Sequence, residues 1–289
     1  MRVDLFGHNV TVKTVDCSCN GNIATEVEPY INLYVRLTDR CDAACPFCCY
    51  SNKRCDSFNA IKFIQALEQV KDKIRINKIS ITGGEPTIMR NLLDPLLWGI
   101  RNFDPSIFIV VNSNGYKLKD FPADLVDSLS ISKHHYIRNK DSMMFGCRGW
   151  SRSVVVDEFI ADYSRKDTLH LSCNLATDYI DTPEEIYNYL SYYSNLGVTD
   201  FGFVSLMPVT TWAKKHFVDG DLLLPLVKNT TTTKTWKKGF TCRCSNHETI
   251  TSSGIVNSYT RRTLNHECVD FLVWDIDTLK LGFNGPTLF

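Results

Sequence analysis

Between Ile31 and Leu206 the sequence alternates β-rich runs with helical patterns, and this rhythm restricts the chain to α/β folds. Ile31–Leu37 is the first β-rich run. Phe58–Val70 has apolar residues three and four apart, the spacing of an amphipathic helix. Ile74–Thr82 alternates isoleucines with one break, at Lys78. A helix over Asn91–Arg101 and strands at Ile107–Val111 and within Leu125–Ser132 follow. A further helix is expected near residues 152–164, and Leu169–Leu175 is the fifth strand. Thr182 reads as an N-cap, with Pro183 at the first helical position and Glu185 three residues after the cap. That helix is expected to run to Asn195 and stop near Gly197, before a sixth strand at Phe201–Leu206. The alternation predicts parallel βαβ units. A closed eight-unit barrel takes about 250 residues, so six units ending near residue 207 suit a shorter, open barrel. The C-terminal ends of such strands share one face, where these folds place their sites.

Two unusual stretches fall on that face. Cys41-Asp42-Ala43-Ala44-Cys45-Pro46-Phe47-Cys48 follows the first strand and offers thiols at spacings of four and three. Three such thiols can converge on one metal centre. Iron–sulfur clusters are usually held by four thiolates, so a three-cysteine loop leaves one iron open, and an open position separates a catalytic metal site from a closed structural one. Ile81-Thr82-Gly83-Gly84-Glu85-Pro86 ends the second strand. A structural zinc loop or buried thiols are the alternatives for the cysteines, but neither explains that glycine pair.

The cysteine loop, with Phe47 before the third cysteine, resembles the CxxxCxΦC signature of the radical S-adenosylmethionine (radical SAM) enzymes, and Gly83-Gly84-Glu85-Pro86 resembles their GGEP segment. The resemblance spans roughly residues 31–207. It implies a partial (β/α)6 TIM-like barrel and a 4Fe-4S cluster on Cys41, Cys45 and Cys48, with S-adenosylmethionine on the fourth iron. It further implies reductive cleavage to a 5′-deoxyadenosyl radical that abstracts hydrogen from substrate, with the electron supplied by a donor such as flavodoxin or ferredoxin. Phe47 would pack near the cofactor, and Gly83 and Gly84 would contact its methionyl amine. Glu85 would orient that contact, and Pro86 would fix the exit of the strand. Asn112-Ser113-Asn114-Gly115 resembles the family's third strand end near the ribose. Asn112, Ser113 and Asn174 are candidates for the ribose or the methionyl carboxylate, with local turn capping as the alternative.

His134-His135-Tyr136 follows the fourth strand, where substrate should lie. A histidine pair can bind an anion or move a proton near neutral pH; structural histidines are the alternative. Lys133 and Arg138 could hold a carboxylate or phosphate, although such charges are usually solvated. Cys147, Cys173 and Tyr136 are candidates for returning a hydrogen atom. Cys242, Cys244 and Cys268, with His247 and His266 nearby, suit zinc or a second cluster by density, but their spacing matches no strong zinc pattern. Cys49 and Cys55 are expected to be non-ligands, and Cys17 and Cys19 are either ordinary thiols or a ligand pair.

Composition bounds the rest. Lysine and arginine number 32, as do aspartate and glutamate, which argues against a nucleic-acid partner. No apolar run reaches the length of a membrane span and the N-terminus has no secretory core, so a cytoplasmic location is expected. The expected division is an N-terminal β element at 1–30, the barrel at 31–207, and an extension at 208–289 closing the barrel mouth. Residues 228–239 are expected to be loop. The substrate expected is a small molecule or nucleotide derivative. Epimerisation or crosslinking of a ribosomal peptide is one alternative, and a non-catalytic metal-binding redox sensor is another.

Overall fold

The computed structural model describes residues 1–16, 25–48, 58–149, 151–234, 245–261 and 270–289. Cys17, Cys19, Cys49, Cys55, Cys242, Cys244, His266 and Cys268 lie outside the described residues. The zinc or second-cluster expectation on Cys242, Cys244 and Cys268 falls there with them.

The chain opens with β1 (Arg2–Leu5), β2 (His8–Thr11) and β3 (Lys13–Asp16). β1 and β2 form a hairpin, and β3 pairs antiparallel with the start of β4 (Thr25–Thr38). Then come α1 (Ala60–Lys71), β5 (Arg75–Gly83), α2 (Arg90–Phe103) and β6 (Phe108–Ser113). β7 (Ser128–Ser132), α3 (Arg138–Met144), α4 (Ser151–Asp162) and β8 (Leu169–Leu175) follow. α5 (Pro183–Ser194), β9 (Asp200–Ser205), α6 (Thr211–Lys215) and α7 (Gly220–Leu223) complete the central run. The last strands are β10 (Thr230–Lys234), β11 (Ser245–Thr251), β12 (Gly254–Arg261), β13 (Leu272–Asp275) and β14 (Thr278–Leu281).

β4 to β9 lie side by side in chain order, every neighbouring pair parallel. The sequence rhythm thus yields a mixed α/β fold around a large parallel sheet. The crossover from β6 to β7 is the exception to the helical pattern, since only a 3-10 turn, Ala123–Leu125, occupies it. Asn59 caps α1 by accepting from the Lys62 N–H at 3.0 Å, and Thr182 caps α5 through the Glu185 N–H at 3.2 Å. The isoleucine break in β5 has a structural counterpart. Ile31 pairs with Ile76 but Asn32 pairs with Lys78, so Asn77 is an extra residue. The resulting bulge lets Ile76 and Ile79 both be buried although they are three apart.

Strands β10 to β14 join the same sheet. β12 pairs parallel with β9 at one edge of the six-strand run, and β13 pairs parallel with β4 at the other. Thr230–Lys234, expected as loop, is a strand that pairs antiparallel with β11. β-branched threonines favour a pleated strand once a partner edge is present, and that partner is not visible locally. Near the β13 edge, Arg36 Nη1 donates to Asp275 Oδ1 at 2.8 Å and Arg36 Nη2 bonds Asp39, while Lys280 Nζ donates to Asp275 Oδ2 at 2.5 Å. The C-terminal hairpin therefore grips the strand that leads into the cysteine loop. No helix among the described residues is long and apolar enough to cross a membrane.

Candidate active site

The cysteine loop and the glycine pair are joined through the backbone. Gly84 N–H donates to the Thr38 carbonyl at 2.6 Å, and Glu85 N–H donates to the Arg40 carbonyl at 2.7 Å. The glycines permit this approach. Gly83 has φ +134°, and a Cβ there would overlap the Thr38 carbonyl oxygen; a Cβ on Gly84 would overlap that of Arg40. Gly84→Ala is therefore expected to open the pairing and lower stability by roughly 2–3 kcal/mol, from two lost hydrogen bonds plus overpacking. Urea denaturation would check this, and an unchanged midpoint would show that the pairing yields without cost.

Glu85 ties the next strand end to this edge. The residue is 1% exposed. Oε1 accepts from Thr87 N–H at 3.0 Å, Thr87 Oγ1 at 2.7 Å and Ser113 Oγ at 2.8 Å, and Oε2 accepts from Asn114 N–H at 2.5 Å. Burial pushes the Glu85 carboxyl above the usual range, against the pull of these donors. Asn114 carries the connection into the loop, with Nδ2 donating to Asp42 Oδ1 at 2.6 Å. A second tie is Ala44 N–H to the Phe145 carbonyl at 2.8 Å.

Cys41, Cys45 and Cys48 are half-buried, and Cys45 is a free thiol. Cys48 N–H donates to the Cys45 carbonyl at 3.1 Å, and Ala43 N–H points at Cys41 Sγ at 3.4 Å. Burial pushes the Cys45 thiol up to about 12, with the Cys48 and Cys41 sulfurs adding to the rise. Crowded thiols with this bias invite a cation, because metal binding requires the thiolate. Among the described residues no three His, Cys, Asp or Glu side chains are gathered closely enough for a single metal ion. A cluster places its cysteines on different irons and does not require that convergence, so this donor set fits a cluster better than zinc.

An aromatic wall stands over the loop. The Phe47 ring meets His134 edge-on at 5.3 Å and Trp212 at 5.9 Å, and His134 stacks on Phe145 at 4.8 Å. Thr210 Oγ1 donates to the Pro46 carbonyl at 3.0 Å, which holds α6 against the loop.

No protein-family model matches the chain. It is 26% identical over 186 residues to a probable GTP 3′,8-cyclase of Saccharolobus solfataricus, covering 63% of this chain and 58% of the relative. It is 30% identical over 114 residues to a putative glycyl-radical enzyme activating enzyme of Methanocaldococcus jannaschii, covering 38% of this chain and 43% of the relative. These relatives, with the cysteine loop and the glycine pair, indicate the radical SAM enzyme superfamily. The chain spans about half the length of the curated relatives it matches. Its fold is similar to that of Streptococcus suis SuiB. The SuiB structure bound to precursor peptide SuiA aligns with TM-score 0.52 and 19% identity over 64% of this chain and 41% of SuiB. The structure of SuiB bound to S-adenosylmethionine aligns with TM-score 0.52 over 67% of this chain and 44% of SuiB.

The residues singled out from sequence divide. Phe47, Gly83, Gly84, Glu85, Pro86, Ser113 and His134 gather around the cysteine loop or its supports. Asn112 Nδ2 donates to the Ile81 carbonyl at 3.1 Å. Asn174 N–H donates to His134 Nδ1 at 3.2 Å, which fixes that ring nitrogen as an acceptor. His135 and Tyr136 turn toward α5. His135 Nε2 lies 3.9 Å from Glu185 Oε2, and the Tyr136 ring packs against His135 and Tyr192. Burial pulls both histidines down to about 4, so the imidazoles are neutral near pH 7. A protonated histidine pair gripping an anion at neutral pH is therefore not what the structure offers.

Lys133 is not the solvated charge expected of an isolated lysine. It is fully buried, 2.9 Å from Asp141 Oδ2 and 2.9 Å from Asp157 Oδ1, and bonds Ser153 as well. Asp141 Oδ1 accepts from His134 N–H at 2.8 Å and His135 N–H at 3.3 Å, so the ion pair shapes the histidine turn. Burial works to raise the Asp141 carboxyl, but Lys133 and these hydrogen bonds outweigh it and hold it below the usual range. Cys173 is fully buried with Sγ 3.7 Å from the His134 carbonyl oxygen, and Cys147 is half-buried with Sγ 3.7 Å from that of Phe145. Asp42, Asn114, Asp141, Arg152 and Trp212 were not evident from sequence. Asp42 sits inside the cysteine loop and Asn114 inside the polar turn already noted, but only the fold brings Asp141, Arg152 and Trp212 near them.

Proposed function

We propose that this chain reductively cleaves S-adenosylmethionine and abstracts hydrogen from a small-molecule or nucleotide-derived substrate. The observation that carries this reading is the backbone pairing of Thr38–Arg40 with Gly84–Glu85, which sets the three-cysteine loop beside the glycine pair. Cys41, Cys45 and Cys48 would hold a 4Fe-4S cluster. When bound, that cluster supplies the electron that cleaves S-adenosylmethionine to methionine and a 5′-deoxyadenosyl radical, a flavodoxin- or ferredoxin-type donor being its source.

The chain's own residues would bind and orient. Gly83 and Gly84 would offer their backbone edge to the methionyl amine, as Pro86 fixes the strand exit. Asn112, Ser113 and Asn174 would meet the ribose or carboxylate from neighbouring strand ends. With both oxygens already accepting from protein donors, Glu85 would orient this edge rather than touch the ligand. Phe47, His134 and Trp212 would wall the site from water, His134 as a neutral ring. His135 and Tyr136 would act from behind that wall. Residues 31–207 would form the catalytic unit as a partial (β/α)6 barrel, with 1–30 and 208–289 accessory to it. The GTP 3′,8-cyclase name of a relative supports the nucleotide branch of the substrate reading.

The test is S-adenosylmethionine cleavage. Anaerobically reconstituted protein, given dithionite and S-adenosylmethionine with and without GTP, should release 5′-deoxyadenosine detectable by mass spectrometry. Cys45→Ala should fall to background. Wild-type protein with its full iron and sulfide that makes no product under either condition would leave two readings, cleavage gated by a missing substrate and the sensor.

A further inference from the structure

We propose that the buried guanidinium of Arg152 is the positive charge that raises the reduction potential of the cluster at Cys41, Cys45 and Cys48. This rests on the cluster assignment above. Arg152 is 6% exposed and lies on the first turn of α4, far in sequence from the cysteines. One amino group donates to the Asn114 carbonyl, and the guanidinium carbon lies 3.4 Å from the centre of the Phe145 ring. These two contacts matter because of what they also hold. Asn114 bonds Asp42, and the Phe145 carbonyl accepts from Ala44 N–H. Arg152 is thus fixed behind the part of the loop between Cys41 and Cys45.

Its charge is only partly answered. Nη1 is buried without a hydrogen-bond partner, and Asp141 Oδ2 stands 3.8 Å away, beyond bonding distance. Asp141 and Asp157 are already engaged by Lys133, and Asp157 also by Arg138 at 3.2 Å. Lys133 sits between both carboxylates, while Arg138 reaches Asp157 from the solvent side, so the Arg152 guanidinium has only the more distant Asp141 carboxylate facing it. A buried donor left open in a native fold calls for a reason, and a nearby anionic cluster provides one.

The direction of the effect follows from charge. Reduction adds one electron from an external one-electron donor, with no bond made and no proton required. The reduced cluster is more negative by one charge, and a fixed cation in a low-dielectric setting stabilises that state more than the oxidised one.

The experiment is an EPR-monitored redox titration of reconstituted wild type, Arg152→Lys and Arg152→Gln. Arg152→Gln should titrate at a more negative midpoint than wild type, and Arg152→Lys should lie between them. A Gln midpoint equal to or above that of wild type, at equal iron and sulfide content, overturns the proposal. If the Gln variant does not fold, Asp141→Asn gives a reading of opposite sign. Removing the anion that faces the guanidinium should move the midpoint positive, and an unchanged or negative shift overturns the proposal. Wild-type protein that shows no reduced-cluster signal would instead defeat the cluster assignment itself.

Discussion

Replacing Lys133 by methionine is expected to destabilise the protein by roughly 3–5 kcal/mol, the cost of leaving buried charges without their partner. Lys133 lies between Asp141 and Asp157 with all three side chains out of water. Methionine fills similar space, so the loss isolates charge rather than volume. Asp141 would keep only the distant guanidinium and the two histidine N–H groups, and Asp157 would keep Arg138 and the Tyr193 hydroxyl. Urea denaturation of the cluster-free protein measures the effect. A loss under about 1 kcal/mol, the scale of a surface ion pair, would mean that the ammonium is not needed there. Tyr189 Oη donates to the Lys133 carbonyl at 2.8 Å and Tyr193 Oη to that of His135 at 3.1 Å. The same variant should therefore loosen the His134–His135 turn and weaken the packing on Phe47.

Acid should destabilise the folded protein well before the carboxylates are fully protonated. His134 titrates near 4 in the fold, because burial opposes its charged form, against an ordinary value of 6.5. The unfolded chain therefore takes up this proton first. The neutral native ring is fully compatible with folding above pH 6.5, and stability is lost as pH falls from there toward 4. At about 1.4 kcal/mol per unit, this single group removes about 3 kcal/mol by pH 4. His135 shifts in the same direction, chiefly through burial. Glu85 opposes them, since a raised carboxyl makes the folded state the better proton acceptor over its own window. Denaturation midpoints at pH 7 and pH 5 would read the net slope. In His134→Asn the amide oxygen can accept from Asn174 N–H without titrating, so the slope should flatten. An unchanged slope would remove His134 as its source.

The chemistry-bearing loop was legible because its information is local. Cys41, Cys45, Cys48 and Phe47 sit within one turn of chain, and Gly83-Gly84 lies where the second strand ends. The order of the six strands from 31 to 206 was legible for the same reason, as was the Thr182 cap, whereas α3 was not expected. Partnership across the fold was not. Nothing near Lys133 in sequence says that Asp141 and Asp157 will enclose it, and a polar turn does not disclose that Asn114 rather than Asn112 reaches the cysteine loop. Thr230–Lys234 read as loop because a run of threonines becomes a strand only against an edge supplied by β11. The histidine pair followed the expected strand, but its burial depends on Phe47, Phe145, α5 and Glu185, which converge from separate parts of the chain.

The pairing of β13 with β4 has a consequence for how the protein is made. The strand presenting the cysteines is flanked by β5 on one side and, over Leu33–Arg36, by β13 on the other. The Arg36–Asp275 contact closes a separation of 239 residues. On the ribosome, Cys41, Cys45, Cys48, Gly83 and Gly84 are therefore synthesised long before the strand leading into the cysteine loop has both neighbours. Until residues 272–275 emerge, that strand has a bare stretch of edge, the kind of surface through which nascent chains associate wrongly. A polypeptide cut short before residue 272 would contain the cysteine loop and the glycine pair and still lack the edge that steadies them, so translation through residue 275 precedes a finished scaffold for that loop.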